Sequence, residues 1–495
     1  MHHLNTYRSP SIFCVGVLFL LFAAGCSIPK PNPKQEMTEI APVGGWETEA
    51  DSGEVQDDWI QSFDDPILVE LVAEAQIANP DLAQTAATLS SAIAQAQQAN
   101  SALYPDLNLG AQASQTQRYE LTQEQEILGI KKNQTTLGIS LDLSWELDVW
   151  SRISDSSKGA AFAAAATAAD YAAARQSLAA QVAKGWFQAI TAKLQLELAE
   201  QFVATYAETY RITEARFNAG DVSAQDTYTA KADLADARQN AEEARFSVRF
   251  AIRSLEVLLG RYPASELAVA NSIDSELLPV PAGLPSTLLE RRPDLIAADR
   301  RVTSAFFLAS SASSARLPQF SLTAQYSTSA ENFGDLFDAS SMLTNLGINL
   351  FQPLFDAGLR LAQFEEAEAT QMIAVAAYKS AALTAFQEVE DTLSLETSLI
   401  SQVNELKIAS DSYEKAREIG EIRYREGETD LTSLLVVQRQ SLLAQSDYIA
   451  ARGQLYTNRV DLFLSIGGNF ATGPINDSPA PPPLPSQQKD PPSES

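Results

Sequence analysis

The sequence predicts a mixed α and β membrane protein. It is a duplicated helix-strand-strand-helix-helix repeat, with four strands per chain contributing to a shared β-barrel and long helices paired as coiled coils. Three observations predict this class. The chain repeats itself: Asn79-Pro80-Asp81-Leu82 returns as Arg292-Pro293-Asp294-Leu295 and Pro105 as Pro318, both 213 residues later. Beyond that, Leu143 matches Leu350, Tyr171 Tyr378, Arg216 Arg423, Gly220 Gly427 and Gly260 Gly467, all 207 apart. Two matching runs with one length change between them describe an internal duplication with a single variable loop. The other two observations are four segments of period two and two helical segments too long for a globular core.

The first 25 residues stand apart. Arg8 precedes a short apolar run, Ser11 to Ala24, which ends at Gly25-Cys26. Such a run is a signal peptide rather than a membrane-spanning helix with normal flanks. Cys26 stands where a bacterial lipoprotein carries its lipidated, palmitate-bearing cysteine, although Ala23 replaces the usual leucine three residues before it. Residues 26–58 are therefore expected to be a lipidated N-terminal segment, with an ordinary cleavage nearby as the alternative. Cys14 leaves with the signal, so Cys26 is the single mature thiol and no internal disulfide is expected.

Repeat 1 is expected over 59–262 and repeat 2 over 291–468, joined by a linker at 263–290 rich in proline, serine and acids. From Thr135 to Val149 the alternation is nearly unbroken: Leu137, Ile139, Leu141, Leu143, Trp145 and Leu147 oppose Thr136, Gly138, Ser140, Asp142, Ser144 and Glu146. Period two places these sets on opposite faces. Similar strands are expected at about 105–117, 318–328 and 343–352. They are long enough to cross a bilayer, which takes about 9–11 tilted residues. A half-buried soluble sheet is the common explanation of alternation. An exported chain with one apolar and one polar strand face also fits an outer-membrane barrel. Four strands cannot close one, and an open edge in lipid leaves N–H and C=O groups without partners. A dimer would supply eight strands and a trimer twelve.

Between Arg152 and Phe217 there is no proline, and the only glycines are Gly159 and Gly185. At 1.5 Å per residue this predicts a helix of roughly 100 Å. Its counterpart covers about 358–425. The helices that follow, about 223–260 and 430–466, return after glycine turns at Gly220 and Gly427. In the second, Leu435, Leu442, Ile449, Tyr456 and Phe463 recur every seven residues, as a coiled-coil seam requires. The tail, 469–495, has a disordered composition.

Composition excludes several functions. A net charge of -28 argues against nucleic acid as a partner. His2 and His3 are lost with the signal, which removes most nucleophilic triads and zinc sites. No catalytic residue, metal ligand set or cofactor site is expected.

The ordered motifs carry a resemblance. Trp59, Phe63, Asp65-Pro66, Leu68, Leu71 and Asn79-Pro80-Asp81-Leu82 open it. The run Leu284-Pro285-Ser286 to Arg291-Arg292-Pro293-Asp294-Leu295 is its most specific part. Trp145-Glu146-Leu147-Asp148 and Pro353-Leu354-Phe355-Asp356-Ala357-Gly358 match two strand-to-helix junctions, and Arg216-Phe217 and Arg423-Tyr424 precede the hairpin glycines. Over about Trp46 to Gly468 the chain resembles the TolC-like outer-membrane efflux proteins, in the lipoprotein (NodT-type) branch that serves resistance-nodulation-division pumps. The resemblance implies a homotrimer with one twelve-stranded barrel in the outer membrane of a Gram-negative bacterium and an α-helical tunnel in the periplasm. It implies a periplasmic adaptor and an inner-membrane pump as partners, and outer membrane lipid around the barrel. The chain itself would be a passive gated duct. Asp299 replaces the usual glutamate after the Arg-Arg-Pro-Asp run. Ser433 and Val436 stand where relatives carry aspartates beyond the second glycine.

The resemblance also implies a periplasmic gate at the hairpins. Asp226, Tyr424, Arg423, Asp430 and Glu428 are its expected residues, with Tyr424 bonding Asp226. Gly220, Asp221, Val222, Gly427 and Thr429 are the expected tips facing the adaptor. For any single residue among them, a solvated charged turn is the plainer explanation. A trimeric coiled-coil surface stalk would explain the helices and Cys26 but not four amphipathic strands inside the repeats. Nothing in the sequence identifies the cargo.

Overall fold

The computed structural model describes residues 32–40, 46–48, 57–129, 131–273, 277–283 and 285–468. The signal peptide, Cys26 and the tail from 469 lie outside the described residues. In order, the elements are α1 (Pro33–Ile40), α2 (Pro66–Ala78), α3 (Pro80–Ser101), β1 (Asp106–Gln117), α4 (Gln123–Ile127), β2 (Asn133–Leu147), α5 (Arg152–Ala219) and α6 (Ala224–Leu258). They continue with α7 (Pro285–Arg291), α8 (Pro293–Ser314), β3 (Gln319–Ala330), β4 (Met342–Phe351), α9 (Leu359–Arg425) and α10 (Leu431–Ser465). The repeat is thus α3-β1-β2-α5-α6 followed by α8-β3-β4-α9-α10. The short helices α1, α4 and α7, the helix α2 and the 3-10 turns at Trp59–Phe63 and Phe333–Phe337 are additional to the elements the sequence predicts. None carries a long periodic pattern.

Two compact units divide the chain. One comprises residues 102–159 and 302–372, with all four strands; the other comprises 33–101, 160–301 and the chain from 373. In the first, the strands form one antiparallel sheet in the order β1-β2-β3-β4. Directly paired residues share a face, and the register sorts them by polarity. Leu109 pairs with Leu141, Leu141 with Tyr326, Leu322 with Ile348 and Phe320 with Leu350. On the other face Asn108 pairs with Asp142, Asp142 with Gln325 and Gln325 with Asn345. A slip of one residue would mix the faces on every strand, so polarity fixes the register. Leu109, Leu141, Leu346, Ile348 and Leu350 remain exposed, giving a continuous apolar face.

The strand-to-helix junction explains one motif. Trp145 donates its indole N–H to the Leu103 carbonyl at 2.9 Å, and Glu146 holds Arg152 through two bonds at 3.1 and 2.7 Å. Asp148 accepts from the Ile153 and Ser154 amides, satisfying two donors that the start of α5 leaves free. In the second copy Asp356 accepts from the Gly358 and Arg360 amides.

In the helical unit the duplication is visible as a duplicated bond. Asn79 donates to the Leu258 carbonyl at 2.9 Å, at the end of α6, and its own side-chain oxygen caps Leu82. Arg292, its counterpart, donates to the Ser465 carbonyl at 3.2 Å, at the end of α10, and adds Asp294 at 2.8 Å and Glu388 at 2.6 Å. The Arg-Arg-Pro-Asp run therefore anchors the start of α8 to α9 and α10. The linker is irregular over 261–273 and 277–283 and is pinned to the helices. Glu256 accepts the amides of Ser265, Glu266 and Leu267, while Lys193 donates to the Val269 carbonyl at 2.7 Å.

Candidate functional site

The two helical hairpins end alike. Gly220 and Gly427 adopt positive φ of 83° and 80°, a conformation that costs glycine least. At the first end the Gly220 amide bonds the Phe217 carbonyl and Asp221 bonds Arg216. At the second, Gly427 bonds Tyr424 and Glu428 bonds Arg423. Both are Schellman closures, in which the residues past the last turn satisfy its free carbonyls. The return helices are capped by Ser223, whose side chain accepts from the Asp226 amide, and by Asp430, which accepts from the Ser433 amide. Those bonds from Ser433, first its amide and then its hydroxyl, hold the Asp430 carboxyl below its ordinary range.

The tips come together around one surface concavity of about 650 Å³, lined by Arg216, Gly220, Asp221, Val222, Asp226, Tyr424, Gly427, Glu428, Thr429 and Asp430 among others. Nine of the ten residues expected at the gate and tips line it; Arg423 instead faces Glu428 at 3.6 Å, with both side chains more than half exposed. Four carboxylates and one guanidinium are among the groups that line it.

Tyr424 is 1 % exposed. The expected bond between Tyr424 and Asp226 is absent within the chain, and the reason is local. Asp226 completes a capping box, accepting from the Ser223 amide at 3.0 Å and hydroxyl at 2.8 Å. The Tyr424 hydroxyl lies 2.8 Å from that of buried Thr213. Thr213 gives its own proton to the Thr209 carbonyl, so the phenol is the donor. Arg216 completes the setting. It lies 5.2 Å over the Tyr424 ring and donates to the Tyr424 carbonyl at 3.2 Å. Thr213 and Arg216 are the tip residues the sequence analysis missed as partners. Thr213 carries no signal beyond its place on the seam. Arg216 stands out in the sequence as a repeat match and in the motif before the first hairpin glycine, and neither signal points to a partner.

Above the tip, Leu198, Phe202 and Tyr206 of α5, Ala230 and Leu234 of α6, and Leu431, Leu434 and Leu435 of α10 form one buried cluster with Tyr424. Asp233 borders it. One carboxylate oxygen lies 3.7 Å from Arg439, whereas the other is buried without a partner. Burial pushes the Asp233 carboxyl up, and Arg439 only partly opposes that. Among the described residues no group of histidine, cysteine or acidic side chains could hold a metal ion.

An antiparallel sheet with one exposed apolar and one polar face, joined to paired helical hairpins, defines the class: a β-barrel channel protein with a helical extension. The pattern of the outer membrane efflux protein family matches residues 71–261 and 284–468, and the chain belongs to that family. It is 29 % identical over 433 residues to the probable efflux pump outer membrane protein TtgC of Pseudomonas putida, covering 86 % of this chain and 88 % of that one. It is 28 % identical over 472 residues to the outer membrane protein OprJ of Pseudomonas aeruginosa, covering 94 % and 98 %. Among solved structures, the open state of the MtrE outer membrane channel of Neisseria gonorrhoeae matches with a TM-score of 0.77 at 25 % identity, covering 87 % of this chain and 97 % of that one. The chain is thus an efflux channel protein of the Gram-negative outer membrane.

Proposed function

We propose that three copies of this chain form the passive, gated outer-membrane duct of a tripartite efflux system, with a periplasmic adaptor and an inner-membrane pump of the resistance-nodulation-division type. The observation that carries this reading is the open sheet. Its four strands are apolar on one face and polar on the other, and among the described residues β1 and β4 each lack a second partner. In lipid those edges require further strands, and closure by copies of the chain supplies them. The duct performs no chemistry. It moves solutes, and the pump supplies the energy.

Mass measurement in detergent and recording in planar bilayers test this. The expected results are a trimer and a discrete conductance. A folded monomer that conducts alone would overturn the shared barrel. Leu141→Arg places a charge on the apolar face and should impair insertion by about 2–4 kcal/mol near the bilayer midplane, whereas Ser140→Arg should be tolerated.

The hairpin tips are the resting gate in this reading. Gly220, Asp221, Val222, Gly427 and Thr429 face the adaptor, and Asp226, Arg423, Glu428 and Asp430 set the charge of the mouth. Closure is held by the bond from Tyr424 to Thr213 and by Arg216 over the ring. Tyr424→Phe with Thr213→Val should raise resting conductance and sensitivity to large antibiotics. Recordings that match the wild type would remove Tyr424 from the gate. Cys26 is the proposed lipid anchor. Radioactive fatty acid should label the wild type and not Cys26→Ser, and an unlabelled wild type would end that assignment.

A further inference from the structure

The polar face of the sheet carries an ordered row across all four strands: Asn108, Asp142, Gln325 and Asn345, each the direct cross-strand partner of the next. Asp142 is its only charge. Both oxygens of its carboxylate are held, one by the Ser140 hydroxyl at 2.6 Å and the other by the Gln325 amide at 2.6 Å. Asn345 donates to Gln325 at 3.3 Å and extends the row to the edge strand. Among the described residues no bond or ion pair to a cation compensates this carboxylate. The four strands contain no lysine or arginine, and their remaining acids are occupied at the ends of strands. Asp106 accepts from Asn108, and Glu146 pairs with Arg152 at 2.7 Å.

We propose that Asp142 is a charge-selecting residue of the barrel lumen, favouring cationic and zwitterionic solutes over anionic ones. The proposal rests on the trimeric barrel. Three-fold symmetry would place three Asp142 carboxylates at one level. Twelve strands about 4.8 Å apart and tilted about 40° enclose a backbone cylinder about 24 Å across, and inward side chains narrow its lumen to a radius of about 6 Å. That radius is below the screening length of about 8 Å at physiological ionic strength, so the field of the three charges covers the whole cross-section. With the dielectric constant of water and that screening, the ring concentrates a monovalent cation, and depletes an anion, by about fivefold each. The two hydrogen bonds hold the carboxylate at the wall, so the charge stays at a fixed level of the pore.

The test is the reactivity of a thiol at the same level. Intact cells producing the full chain with Asn345→Cys are exposed to a cationic and an anionic thiol reagent of equal size, with cells producing the unaltered chain giving the background. The cationic reagent should react faster. Adding Asp142→Asn should lower the cation-to-anion rate ratio by about 25-fold, the product of the two fivefold effects, and Asp142→Glu should preserve it. An unchanged ratio in Asp142→Asn overturns the proposal. Should Asp142→Asn not insert, the Asp142 chain alone still decides: its ratio must fall toward the intrinsic reagent ratio at about 1 M salt, and a ratio indifferent to salt overturns the proposal. Leu346→Cys, next in sequence but on the apolar face, should stay unreactive. If it reacts as fast as Asn345→Cys, the polar face is not the wetted wall and the shared-barrel reading fails on its own account.

Discussion

The two hairpin tips descend from one repeat, yet equivalent residues now do different work. Phe217 and Tyr424 hold the same place before the glycine, and Phe217 is 42 % exposed while Tyr424 is 1 % exposed. Arg216 lies over the tyrosine ring, whereas its counterpart Arg423 meets only exposed Glu428. The cause lies across the seam. Thr213 offers Tyr424 a buried hydroxyl, but the position 207 residues on from Thr213 is Gly420, which has no side chain to offer Phe217. Duplication supplied two similar ends, and one hydroxyl with one ring made them unequal. The second hairpin is the tethered end, holding the first through Tyr424.

Substitutions can break or sharpen this inequality. The largest effect is expected from Tyr424→Ala, which empties a buried site and should destabilise the hairpin ends by about 3–5 kcal/mol. Phe217→Ala should cost well under about 1 kcal/mol. Amide hydrogen exchange at the tips reads both, and equal effects would abolish the distinction. Next, Arg216→Met should cost about 1–2 kcal/mol through the lost ring contact and carbonyl bond. Arg423→Met should be nearly neutral, as exposed pairs are. The caps should be similar: Ser223→Ala and Asp430→Ala should each cost about 1 kcal/mol by thermal melting, because each removes one side-chain oxygen that accepts a first-turn amide. The smallest effect concerns Asp233, whose carboxyl is raised above its ordinary range in the folded state. Its protonated form is then favoured by folding, so its stability contribution is present at acid pH and lost as pH rises through the raised value. Asp233→Asn should match or exceed the wild type in melting temperature near neutrality, with the gap closing on acidification. A gap that widens instead would reverse the sign.

Most of the architecture was legible because it is periodic. Alternation through Leu137–Leu147 marked β2, and the expected and observed strand faces agree because one-face polarity leaves a single register. The long helices were legible from the absence of breakers between Arg152 and Phe217, and the turns from Gly220 and Gly427. The bonding at the tip was not. Asp226 sits three residues after Ser223, a capping-box spacing that outranked the longer reach to Tyr424. The hydroxyl of Thr213 acts from another helix, 211 residues away in the chain, a distance at which no local pattern speaks. The role of Arg292 as an anchor for the end of α10 was hidden for the same reason.

The open edges of β1 and β4 also bear on how the molecule comes into being. The helical hairpins are built from neighbours in sequence, and such local pairings form quickly. In the proposed shared barrel the sheet cannot finish within one chain. Its last hydrogen bonds wait for an encounter between separate polypeptides, so completion must depend on how many chains are present at the membrane. Until then each newly made chain carries two adhesive borders, with no lysine or proline in β1 or β4 to blunt them. Dilution should therefore strand the protein as helical hairpins with an unsealed sheet, and crowding at the insertion site should seal it.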